Sequence, residues 1–224
     1  MEEQTAAAAI AGTGFLNTVA QFMQDGGIFM WVILFIWAFG VAIAIERFMK
    51  LSFKYHVDGA SFMNELQRYV LSNDIQGAIR ACAGSGAMLP KVLKSGLKRA
   101  SSSMAQMQNA IDATALEVIP KIEHRLSYLG MVANVSTLFG LLGTIKGLME
   151  SFSAVASADP SQKAELLTLG ISKAMNTTFL GLLAAISVMM IHTYLVAKSE
   201  KIIGEIDEYS VKLLDLIGTK NEEA

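Results

Sequence analysis

The sequence predicts an all-α integral membrane protein with three transmembrane helices, and three observations support this fold class. Charged residues are absent from three long apolar runs, at 28–45, 126–145 and 174–197. About 20 apolar residues suffice to cross a hydrocarbon core about 30 Å thick. Charged residues make up only 17% of the chain, against roughly 25% in soluble domains. No segment shows the alternating pattern of a β-strand.

The first apolar run is predicted to be a retained span rather than a cleaved signal. Signals begin with a basic segment, whereas residues 1–27 contain no Lys or Arg and carry Glu2, Glu3 and Asp25. The stretch GFLNTVAQFM in that segment has helical apolar spacing and predicts an amphipathic helix at the outer membrane boundary. The predicted divisions are this N-terminal segment at 1–27, span one at 28–48, a helical domain at 49–126, span two at 127–152, a loop at 153–165, span three at 166–197, and a C-terminal helix and tail at 198–224.

Basic residues near the span ends predict the orientation, because Lys and Arg collect on the cytoplasmic side of a membrane. In the short loop 153–165, Lys163 is the single basic residue. The borders of the long loop and the segment after span three hold many more: Arg47, Lys50, Lys54, Lys121, Arg125, Lys198, Lys201 and Lys212. The N-terminus is therefore predicted outside and the C-terminus inside.

The cytoplasmic domain 49–126 is predicted to be helical, since it is too long for a linker and too apolar for a disordered segment. Asn73 or Asp74 is the candidate N-cap of one helix, and a serine of the SSS stretch caps the last one. That last helix is predicted to run through Pro120, kinked or restarted there, into span two. Spans two and three thereby extend into the cytoplasm.

Span two carries polar side chains on one helical stripe and small residues on the adjoining face. At 100° per residue, Asn134, Thr137 and Thr144 fall on the polar stripe. The small residues on the neighbouring face are Gly140, Gly143 and Gly147. Small residues let helices approach closely in lipid, so these glycines are the candidate packing residues.

Span three repeats this arrangement. Lys173, Thr177 and Gly181 share one face, and Thr178 lies beside it. Hydroxyl groups in membrane helices often bond only to carbonyls of their own helix, and that is one interpretation. The other is a helix pair that lines a polar or ligand-filled interior.

Carboxylates are missing where an ion path would need them. Glu46 and Glu150 lie at the ends of the apolar runs, and none of the three runs contains Asp or Glu. Proton paths through membranes normally need a titratable group at mid-depth. If this protein conducts protons, a partner chain is therefore expected to bring the carboxylate. The net charge of -2 gives no sign of a nucleic-acid partner, and no metal spacing or nucleophile–base set predicts a cofactor or an enzyme.

Three motifs follow one another along the chain. IERFMKL begins at Ile45, ANVSTLFGLLGTIKGLMESF contains an LLGTxxG core, and GISKAMNTTFLGLLAAI contains an AxxxTxxGLxxAI core. Together they resemble the MotA/TolQ/ExbB proton-channel family over residues 28 to about 209. The three-span topology with an outer N-terminus is that of its TolQ and ExbB branch.

The resemblance implies a homopentameric ring around two copies of a single-span partner of the ExbD, TolR or MotB kind, in a bacterial inner membrane. The partner's aspartate would carry the ion, and Thr144 and Thr178 would line the path facing it. Thr177, Thr137 and Asn134 are the further candidates for this ion path. A TonB- or TolA-like protein that spans the periplasm is an implied further partner.

Two positions depart from the family pattern. Lys173 stands where many relatives have an acidic residue, at the expected outer mouth of the path, and Ser187 replaces a proline. A sodium-driven or gliding-type motor of the same family, and a non-conducting scaffold, are the alternative functions. At the opposite boundary, Glu46 and Arg47 are predicted to form an ion pair.

Overall fold

The computed structural model describes residues 17, 20, 22–24, 26–55 and 57–223, and this part of the chain contains helices and no strand. The all-α prediction is confirmed. The predicted amphipathic helix at GFLNTVAQFM lies largely outside the described residues. The described elements are α1 (Ile28–Met49), a π-helical segment (Lys50–Lys54), α2 (Gly59–Leu71), α3 (Ile75–Gly84), α4 (Met88–Leu97), α5 (Met104–Glu123), α6 (Leu126–Ser157) and α7 (Lys163–Glu223).

Three helical stretches in the described part are long and apolar enough to cross a membrane. They are Ile28–Leu71, Met104–Ser157 and Lys163–Thr219. Each contains one of the predicted spans. The three transmembrane helices of the predicted fold class are therefore present as continuous apolar helix.

The chain divides into two compact units. The span unit comprises residues 1–43 and 128–191, and the loop unit comprises residues 44–127 and 192–224. Leu66, Leu93 and Ile206 are fully buried in the core of the loop unit. They come from α2, α4 and α7, so the predicted cytoplasmic helices form a packed domain with its own apolar core.

Two helix starts in the loop unit confirm the predicted caps. Asp74 accepts a hydrogen bond from the backbone N–H of Gly77 at 2.7 Å, and Ser103 accepts one from Gln106 at 3.3 Å. Both side chains satisfy backbone donors that the first turn of a helix leaves free. Asn73, the other candidate, instead adopts a left-handed conformation with φ of 61°.

The break between α5 and α6 does not fall at Pro120, which corrects the sequence prediction. α5 passes through Pro120 and ends at Glu123, and Arg125 then takes a φ of 65° before α6 begins. The guanidinium of Arg47 donates to the carbonyl oxygens of Lys121 and Ile122. Those carbonyls would accept the next bonds of a continuing helix, so their capture by Arg47 ends α5.

A turn lies directly before α1. The N–H of Gly27 donates to the carbonyl oxygen of Gln24 at 3.2 Å, and Gly27 has a φ of 71°. Glycine adopts this left-handed conformation without a steric cost. The chain therefore turns at Gly27 and enters α1 at Ile28.

Candidate functional site

α6 and α7 approach each other closely at Gly140 and Gly181 in the span unit. A Cβ atom at Gly181 would lie 2.8 Å from the carbonyl oxygen of Ser136 and 2.9 Å from the Cα atom of Gly140. These distances are shorter than van der Waals contact, and the atoms involved belong to the backbone. Only glycine at position 181 allows this helix contact.

The contact continues along both helices toward the ends that the predicted topology places outside. A Cβ atom at Gly143 would lie 2.7 Å from Oγ1 of Thr177, and one at Gly147 would lie 3.0 Å from Cβ of Ala174. The glycine stripe of α6 therefore packs against α7 over two turns.

Thr177, one of the candidates for the ion path, lies inside this contact. Its side chain is 2% exposed and donates a hydrogen bond to the carbonyl oxygen of Ala174 at 2.7 Å. Helical spacing groups Thr177 with other polar residues, but it is Gly143 that covers its hydroxyl group. Thr177 is a packing residue in this structure.

Thr178 bridges the two helices. Its Oγ1 donates to the carbonyl oxygen of Gly140 at 3.0 Å, and its side chain remains partly exposed. This bond is possible because the two glycines bring the backbones together. Interhelical hydrogen bonds of this kind add to helix association in membranes.

The remaining polar candidates lie on the accessible side of α6. Thr144 donates to the carbonyl oxygen of Leu141 at 2.6 Å, and Thr137 donates to that of Ala133 at 3.2 Å. Asn134 is exposed one turn further along. The hydroxyl protons of both threonines are thus directed to backbone carbonyls, while the oxygen lone pairs stay available to another group.

Three charged side chains cluster where α6 and α7 face the first turn of α1. Glu150 lies 3.3 Å from Nζ of Lys146 and 4.0 Å from Nζ of Lys173. Lys173 also lies beside Gly27, where an added Cβ atom would be 3.6 Å from its Cε. One carboxylate is therefore shared by two ammonium groups, and the cluster keeps a net positive charge.

Trp37 makes a contact that the sequence analysis did not identify. Its indole N–H donates to Oγ of Ser187 at 2.8 Å, and Ser187 in turn donates to the carbonyl oxygen of Ala184. Ser187, which replaces a proline of the family pattern, thereby connects α7 to α1 through a hydrogen bond. The only signal for this contact in the sequence was that Ser187 replaces the proline of the family pattern. That signal does not identify Trp37, because 150 residues separate the two side chains.

The ion pair predicted at the inner boundary between Glu46 and Arg47 is not formed. Glu46 instead pairs with Lys50 at 2.5 Å and with Arg125 at 2.8 Å. Arg47 is 1% exposed and contacts the end of α5. Consecutive residues point about 100° apart on a helix, so the two side chains reach different partners.

The fold and the polar helix pair define a class of protein: a helical membrane subunit whose uncharged apolar runs contain hydroxyl groups and no carboxylate. The sequence profile of the MotA/TolQ/ExbB proton channel family matches residues 85–208. The match covers more than half of the chain, and the protein belongs to this family.

Individual relatives agree with the family. A biopolymer transport ExbB homolog of Methanothermobacter thermautotrophicus is 24% identical over 194 residues, which are 86% of this chain and 68% of that protein. The Tol-Pal system protein TolQ of Pseudomonas aeruginosa is 34% identical over 108 residues, and the match spans 46% of each chain. The structure of C. jejuni MotAB shares the fold, with a TM-score of 0.63 and 14% identity over 98% of this chain and 87% of that one.

Proposed function

We propose that this protein is the ring-forming subunit of a proton-driven motor. Five copies would surround two copies of a single-span partner of the ExbD, TolR or MotB kind. Proton flow would turn the ring against the partner and couple the proton-motive force to work in the periplasm or at the outer membrane. A periplasm-spanning protein of the TonB or TolA kind is the candidate recipient of that work.

The observation that supports this proposal most strongly is a hydroxyl-bearing face without an acid. Thr144 and Asn134 lie on the accessible side of α6, and no Asp or Glu occurs in the uncharged runs. Hydroxyl oxygens can accept a hydrogen bond from a protonated group, but hydroxyl groups do not titrate near neutral pH. The titrating carboxylate is assigned to the partner's helix, which would lie against this face.

The proposed orientation places the N-terminus in the periplasm and the C-terminus in the cytoplasm of a bacterial inner membrane. The spans would be 28–48, 127–152 and 166–197, which leaves the loop unit largely on the cytoplasmic side. The excess of basic residues around that unit supports this direction.

Lys173 is proposed to set the electrostatic potential at the outer mouth of the path. Lys173→Gln is expected to raise proton flux at low salt by about threefold, because the cluster with Glu150 would lose its net positive charge. The increase should shrink at high salt, where charges are screened within about 10 Å. The measurement is proton flux into vesicles that hold the purified complex.

Lys163→Gln is the matched control for this substitution, since Lys163 is exposed at the start of α7. It should leave the flux unchanged at both salt concentrations. Equal flux in Lys173→Gln and the unaltered protein at low salt would remove Lys173 from the mouth of the path.

Thr144→Val and Thr178→Val test the proposed function itself. Each change keeps the side-chain shape and removes a hydroxyl oxygen from the path. Proton flux through the complex, purified with its single-span partner and placed in vesicles, should fall about tenfold or more, the equivalent of one lost hydrogen bond of about 1.4 kcal/mol. Thr178→Ser keeps the hydroxyl group that bonds to Gly140 and should retain most of the flux.

Thr168→Val is the control for these variants, because Thr168 is exposed and donates to the carbonyl oxygen of Ala164 in its own helix. Full flux in both Thr144→Val and Thr178→Val would overturn the assignment of the path. A complex that conducts no protons would favour the scaffold alternative. Flux that requires sodium rather than potassium at a fixed proton-motive force would favour the sodium-driven motor.

A further inference from the structure

A lysine of the loop unit lies over two exposed aromatic rings near the ends of α1 and span three. Nζ of Lys198 is 5.6 Å from the ring centroid of Phe48 and 6.0 Å from that of Tyr194. The two rings stack with centroids 6.2 Å apart. Their residues are 43% and 54% exposed, so this cation–π group is open on one side.

The π-helical segment supplies the rest of this surface. At its end, the N–H of Tyr55 donates to the carbonyl oxygen of Lys50 at 3.0 Å. Leu51 is fully buried and anchors the segment, whereas Phe53 is 82% exposed. Ser52 accepts a hydrogen bond from Lys198 at 2.8 Å. π-helical turns are rare and often occur at functional sites.

Positive charge on this surface is incompletely neutralised. Lys50 is paired with Glu46. In the described part of the chain, Lys54 and Lys198 have no carboxylate within ion-pair distance. The ammonium group of Lys198, the hydroxyl group of Ser52 and two exposed aromatic rings therefore occur together. The exposed Lys54 follows Ser52 by two residues in the same π-helical segment.

We propose that this surface, formed by Phe48, Ser52, Phe53, Lys54, Tyr194 and Lys198, binds the headgroup of an anionic phospholipid. The lipid phosphate would contact the two lysines and Ser52, and the acyl chains would lie along the exposed rings. Aromatic and basic residues together suit the membrane–water boundary, and each lysine near an anionic lipid contributes to its binding. The placement of this surface at the inner leaflet rests on the orientation proposed above.

Native mass spectrometry of the purified complex, titrated with phosphatidylglycerol, tests the site. Lys198→Gln and Lys54→Gln are each expected to weaken lipid binding about fivefold, the loss expected for one basic residue. Lys198→Arg should keep the binding. Phosphatidylcholine, which has no net charge, should bind at least fivefold more weakly than phosphatidylglycerol.

Lys212→Gln provides the matched control. Lys212 also lies over an aromatic ring on α7, 4.9 Å from the centroid of Tyr209, but it is paired with Glu208. Phosphatidylglycerol binding to this variant should not change. Unchanged binding in both Lys54→Gln and Lys198→Gln, or equal binding of the two lipids, would overturn the proposal. The titration needs no proton flux, so its outcome is separate from that of the proposed motor function.

Discussion

Replacing Gly181 by valine is expected to separate α6 from α7 and to destabilise the span unit by about 3 kcal/mol. A Cβ atom at this position would lie 2.8 Å from the carbonyl oxygen of Ser136 and 2.9 Å from the Cα atom of Gly140. Backbone atoms cannot rotate out of the way as a side chain can, so the helices must move apart. Overpacking of this kind costs roughly 1–3 kcal/mol, and loss of the Thr178 bond to Gly140 adds about 1 kcal/mol.

The measurement is the midpoint of unfolding in detergent, monitored by the circular dichroism signal of the helices. Gly204→Val is the matched control, because Gly204 also lies on α7 and an added Cβ atom would meet nothing within 4 Å. It should change the midpoint little or raise it. Identical midpoints for the two variants would contradict the close approach of the helices.

Arg47→Ala is expected to open the junction between α5 and α6 and to destabilise the loop unit by about 3 kcal/mol. The side chain is 1% exposed and donates to two carbonyl oxygens at the end of α5. Removing it leaves those acceptors buried without their donor, at a cost of roughly 1–3 kcal/mol each, and creates a cavity. Backbone amides around residues 118–128 should exchange hydrogen faster.

The measurement is hydrogen exchange of the backbone amides, detected by mass spectrometry, and Lys50→Ala is the control for Arg47→Ala. Lys50 belongs to a partly exposed ion pair with Glu46, and such pairs contribute about 1 kcal/mol or less. Exchange near the junction should therefore change little in this variant. If the backbone amides of residues 118–128 exchange as slowly in Arg47→Ala as in Lys50→Ala, Arg47 does not hold the end of α5.

Local chemistry accounts for what the sequence predicts correctly. The uncharged runs identify the membrane helices, because length and apolar composition alone are enough to cross a bilayer. Asp74 and Ser103 are recognisable as caps because their side chains serve backbone groups only three residues away. The glycines of span two are recognisable from their spacing on one face.

Contacts between distant parts of the chain account for what it predicts wrongly. Helical spacing places Thr177 and Thr178 on neighbouring faces, but it does not say which face turns toward α6. One of the two partners of Glu46 is Arg125, which is 79 residues away, and the local sequence does not predict this pairing. Pro120 is a strong local signal for a break, yet the end of α5 is fixed by Arg47 from another helix.

Disulfide trapping tests most directly whether the polar side of α6 faces the helix of the proposed partner. Thr144→Cys would be combined with a cysteine beside the aspartate expected in the span of the proposed partner, since disulfides form only when Cα atoms lie within about 7 Å. The native Cys82 is 2% exposed, and burial raises the pKa of its thiol to about 11. It therefore holds little of the reactive thiolate near neutral pH.

Leu142→Cys is the control, because Leu142 is also exposed but points about 160° away from Thr144 on the helix. The account predicts a disulfide between the partner and Thr144→Cys, and none with Leu142→Cys. A disulfide from Leu142→Cys, with none from Thr144→Cys, would contradict it.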